Sequence, residues 1–90
     1  MDYLLETPND VALRLAARMK QIRKRKKITQ RLLAARSNVS YASLRVFEKN
    51  GKISLESFIK LAMELNVIQE INELFTRPVY SNIEEVLNER

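Results

Sequence analysis

Tyr41, Ala42, Ser43, Arg45 and Lys49 fall within one nine-residue stretch, YASLRVFEK. Their types suit recognition rather than bond-breaking. A guanidinium offers a planar fork of donors, a hydroxyl both donates and accepts, and an ammonium neutralises an anion from many directions. A methyl group and an aromatic ring add apolar contact beside them. Thr29, Gln30 and Arg31 form a second polar set upstream, and Ser40 and Lys52 flank the main stretch. The chain has no His and no Cys. That excludes Ser-His and Cys-His nucleophile pairs and the usual zinc sites, so no catalytic residue, metal or cofactor is expected. The single glycine, Gly51, leaves no phosphate-cradling loop.

Ninety residues suffice for one domain with a modest core. The formal charge of +5 conceals an uneven distribution. Residues 14–52 carry thirteen Lys or Arg and one acid, Glu48, a net of +12, while residues 1–13 sum to −3 and residues 53–90 to −4. A basic segment between acidic flanks points to a polyanion docking on one face. Charges interrupt every apolar run well short of the roughly 20 residues that a bilayer span needs, so no membrane partner is expected. A rival reading has the basic run 14–27 binding a membrane surface or an acidic protein. It is weakened because the core needs that segment's apolar stripe and the run lacks Trp and Phe. An opening with Asp2 and Glu6 does not read as a secretory leader, and the lack of cysteine fits a reducing, cytoplasmic setting.

The elements that must position these groups read as helices throughout. Thr7, Pro8 and Asp10 make a helix start, with an acid placed to close a capping box. Val11, Leu15, Met19 and Ile22 then recur as one apolar stripe, and the helix is expected to end near Lys26 or Lys27. Thr29 caps a short helix to about Arg36 with Leu33 and Ala34 inward, and Asn38 suits the left-handed turn that ends it. Ser40 caps a third helix with Leu44 and Phe47 on its buried side, stopped at Asn50-Gly51. Ser54 caps a fourth, with Leu55, Phe58, Ile59, Ala62 and Leu65 as a wide apolar stripe ended by Asn66. A fifth is predicted over 68–75, burying Ile71 and Leu74. Beyond Pro78, Ser81 and Glu84 form a second capping box before Ile83, Val86 and Leu87.

Two helices joined by so short a turn have the geometry in which the second can lie in a DNA major groove. From about Leu15 to Phe75 the chain resembles the helix-turn-helix family of phage repressor and Cro type, the XRE family. The ITQ, LA, VS, FEKN and LAMEL landmarks occur in order. The resemblance implies an all-α fold: a five-helix, lambda-repressor-like domain over 8–76, with an N-terminal arm at 1–7. A C-terminal extension at 77–90, carrying a short extra helix, would be a dimer or partner contact. Where the family prefers Gly, this chain has Asn38 in the first turn and Asn50 after the glutamate; Asn is the next-best residue for a left-handed conformation. Lys27 replaces a frequent Gly before Ile28.

The resemblance also implies roles. Gln30 would reach a backbone phosphate and brace the third helix. Tyr41, Ala42, Ser43 and Arg45 would enter the groove, with Arg45 bidentate on a guanine edge and Ala42 or Tyr41 against a thymine methyl. Thr29, Ser40, Lys49, Arg31 and Lys52 would complete the interface, the cations on phosphates. Arg23 and Glu48 would form a partly buried ion pair between the first and third helices. The expected function is sequence-specific binding of double-stranded DNA in a prokaryotic or phage setting. One short helix reads few base pairs, so a homodimeric repressor on a palindrome is expected, joined through residues 68–87, with Tyr3, Leu4 and Leu5 as a second contact; the alternative for the final helix is that it folds back on the chain's own core. The alternative is a HipB-like antitoxin that represses its own operon and binds a toxin kinase, a likeness carried by the tail TRPVYSNIEEVLNER.

Overall fold

A computed structural model describes residues 6–78 of the chain. Five helices follow one another: α1 (Pro8–Arg25), α2 (Gln30–Ser37), α3 (Tyr41–Asn50), α4 (Leu55–Glu64) and α5 (Ile68–Asn72). The first four starts are set by side chains. At α1 the Thr7 hydroxyl accepts from the Asp10 N–H and the Asp10 carboxylate accepts from the Thr7 N–H, both at 3.0 Å, closing the expected box. Thr29, Ser40 and Ser54 accept from the N–H groups of Leu32, Ser43 and Ser57 at 3.1, 3.0 and 3.1 Å. Each such cap contributes about 1 kcal/mol.

The stops depend on left-handed backbone. Asn38 adopts φ +59° after α2, and Asn66 +63° after α4. Lys27 follows α1 at φ +57°, in the left-handed region that favours glycine, and α1 itself ends at Arg25 with Lys26 as its cap. After α3 the expectation for Asn50 is corrected. Asn50 is the last helical residue and Gly51 makes the turn, at φ +79°. A Cβ on Gly51 would lie 2.8 Å from the Ala12 carbonyl carbon and 2.9 Å from the Leu13 nitrogen. The end of α3 therefore rests directly on the backbone of α1.

α1 packs on α3, α2 on both α3 and α4, and α5 on α4. The centre is built from Ala16, Met19, Leu33, Leu44, Phe47, Leu61 and Leu65, with the Phe47 and Phe58 rings edge-to-face at 5.8 Å between centroids. Buried Ser37 satisfies its hydroxyl on the Leu33 carbonyl at 2.7 Å.

Three burial expectations are corrected. The inward stripe of α1 is Ala16, Met19 and Arg23, whereas Val11 and Leu15 are 38 % and 41 % exposed. Where Gly51, at the end of α3, meets α1 the facing residue is the small Ala12, and Val11 and Leu15 lie to the flank. Leu55, 71 % exposed, lies outside the stripe of α4, where Leu61 takes the buried place. α5 stops at Asn72, leaving Ile71 half-buried, Leu74 54 % exposed and Phe75 almost bare. Val67 gives that helix no side-chain cap, and the chain turns left-handed at Phe75. No described helix is long and apolar enough to cross a membrane. The arm residues Tyr3, Leu4 and Leu5, the Ser81–Glu84 box and the final helix lie outside the described residues.

Candidate nucleic-acid interface

α3 has two faces. Leu44 and Phe47 are buried, while Ala42, Ser43, Arg45, Val46 and Lys49 are exposed. The capped first turn holds the amino end of this helix in place. The Ser40 oxygen accepts from the Ser43 N–H, and its hydroxyl lies 2.7 Å from that of Ser43. Thr29 and Ser40 are therefore committed first to capping, with exposed residues around them.

Glu48 binds inward. Arg23 Nε donates to Glu48 Oε2 at 2.7 Å and an Arg23 terminal nitrogen donates to Oε1 at 3.0 Å, a two-bond pair with side-chain exposures of 10 % and 4 %. The other Arg23 terminal nitrogen donates to the Ile28 carbonyl at 2.8 Å, where the chain turns from α1 to α2. Gln30 Nε2 donates to Glu48 Oε1 at 2.8 Å. One carboxylate thus ties α1, the α1–α2 turn and the first residue of α2 to the end of α3, giving Gln30 its bracing contact. It also withdraws from the surface the only acid among residues 14–52, so the charge displayed by that segment is cationic.

A hollow of about 630 Å³ borders α3 on one side, lined by Lys20 of α1, Gln30 of α2, and Ala42, Arg45 and Lys49 of α3. On the other side Lys52 borders a second hollow of about 330 Å³ with Ala42, Ser43 and Val46. The outward face of α3 is a ridge between them, with a cation in each flank. Arg31 lines a third hollow, of about 460 Å³, with Ser40 and Tyr41 at the amino end of α3. Its guanidinium carbon is 4.1 Å from the centroid of the Tyr41 ring, and that of Arg45 is 5.5 Å away. Tyr41 is half-buried and packs on the core, unlike the freely exposed Ala42 and Ser43. Lys20 and Asn50 also line the larger hollow but are absent from the residues given an interface role by the sequence. The available signal was position, since Lys20 stands one helical turn before Arg23, which itself docks on α3.

This arrangement is that of a helix-turn-helix domain of lambda-repressor-like fold. A family model described as Helix-turn-helix matches residues 19–67, and the chain belongs to this family, the XRE type. Its class is that of a DNA-binding helix-turn-helix regulator. No curated protein matches the chain.

Proposed function

We propose that the protein is a homodimeric repressor that binds a palindromic DNA operator, with α3 of each copy in a major groove. The observation that supports this reading most directly is the inward commitment of Glu48, which leaves the outer face of α3 to Ala42, Ser43, Arg45 and Lys49 with no carboxylate among them. Arg45 reads a guanine edge, Ser43 bonds a neighbouring base and Ala42 meets a thymine methyl. Lys49, Lys52 and Arg31, with Thr29, Gln30 and Ser40 at the helix starts, set the register on phosphates. Lys20 joins them from α1.

A second copy is needed because one such helix specifies too few base pairs. The apolar residues left open along α1, α4 and α5, among them Leu15, Phe58, Ile71 and Leu74, line a hollow of about 290 Å³ and supply the contact. The antitoxin reading would put a toxin kinase on the same face. The dimer is preferred because it also doubles the base readout.

Selection of bound duplexes from a random library, followed by titration of the selected duplex at two salt concentrations, tests the reading. The expected result is a palindrome with half-sites about 34–36 Å apart and a steep fall of affinity with salt. A binding constant indifferent to salt would exclude groove binding.

A further inference from the structure

Tyr41 opens α3, and its ring packs, partly buried, against the core. Arg31 reaches it from α2 and Arg45 from one turn further along α3, at 4.1 and 5.5 Å from the ring centroid. Among the described residues neither guanidinium has a carboxylate partner. Two like charges converge on one aromatic ring, whose negative face attracts both. An exposed arginine without such a contact would sample many rotamers and would have to be ordered anew on each binding event.

We propose that Tyr41 is a positioning residue rather than a base contact: its ring fixes Arg45 relative to Arg31, so that base reading from α3 and backbone docking from α2 share one register. This replaces the sequence-derived expectation that the ring itself meets a thymine methyl. It rests on the role given above to Arg45.

The test uses the full chain and duplexes selected from a library randomised over two helical turns. Wild type, Tyr41→Phe, Tyr41→Leu, Arg45→Ala and the Tyr41→Leu/Arg45→Ala double variant are each titrated against the selected site and its single-base-pair variants. Every preference is a ratio of affinities measured on one protein, so it is indifferent to the fraction folded. Arg45→Ala flattens the preference at one base pair. Tyr41→Leu narrows the preference at that same pair by about two- to fivefold, the size expected for an exposed cation–π contact. Tyr41→Phe, which keeps the ring, retains it, and the double variant is no flatter there than Arg45→Ala alone. A Tyr41→Leu protein with full preference at that pair, or with a loss at a different pair that adds to the effect of Arg45→Ala, overturns the proposal while leaving α3 as the reading helix. A wild-type protein that selects no sequence at all overturns both.

Discussion

Arg23 of α1 and Glu48 of α3 share two hydrogen bonds, at 2.7 and 3.0 Å, with the carboxylate side chain only 4 % exposed. The pair is 25 residues apart in sequence and holds α3 to α1 behind it. Burial makes its integrity matter more than its net contribution, since desolvation offsets much of the attraction.

Glu48→Ala is expected to cost about 3–5 kcal/mol, because it strands a buried guanidinium. Urea denaturation measures this. Arg23→Met with Glu48→Met should cost less than the sum of the single changes, and an unchanged midpoint for Glu48→Ala would contradict the burial described.

Gly51→Ala should destabilise the fold by about 1–3 kcal/mol, from the left-handed backbone and from a methyl forced onto the α1 backbone. Thermal unfolding reads the loss. If the substitution is neutral, α1 and α3 do not meet as closely as the 2.8 Å approach implies.

Lys27→Gly acts in the opposite direction. Lys27 sits at φ +57°, and relief of that conformation, reduced by the greater freedom that glycine gives the unfolded chain, leaves a gain of about 0.5–1 kcal/mol. A higher denaturation midpoint in urea is the expected outcome.

Arg45→Ala and Lys49→Ala should separate reading from docking. The first relaxes preference at one base pair by about 1–3 kcal/mol, whereas the second weakens all duplexes alike and lowers the salt slope by about 1. Identical effects of the two on every duplex would dissolve the division of roles.

Leu74→Lys should shift the proposed dimer towards monomer without unfolding the chain, because the side chain is already 54 % exposed in the single chain. Sedimentation across a concentration series checks this. A dimer undiminished by the change would move the interface away from the turn that follows α5.

The parts of the fold that were legible in the sequence are those coded by local chemistry. Thr7, Thr29, Ser40 and Ser54 each cap the helix they precede, and Asn38 turns left-handed, because a hydroxyl or an amide side chain acts within a few residues of itself. The Arg23–Glu48 pair was legible for a different reason: the family resemblance implied it, and Glu48 is the lone acid in a basic segment. What escaped was set by tertiary contact. Hydrophobicity alone puts Val11 and Leu15 inside, but the approach of Gly51 to Ala12 requires a small-residue face there, and α1 is turned accordingly. The exposed Leu74 and Phe75 were hidden by the same logic, since apolar side chains do not reveal whether the helix beneath them continues. At the proposed interface, residue types pointed to Arg45 and Lys49, but only the folded structure brings arginines from two helices to the Tyr41 ring.

Because α3 hides Leu44 and Phe47 while Ala42, Ser43, Arg45 and Lys49 stand clear of the core, its two sides answer to different demands. The outer letters can be reset like movable type while the frame that grips them is left alone. Under the role proposed for α3, new address specificities are therefore within reach of a handful of substitutions, by drift or by design, without renegotiating how the chain folds.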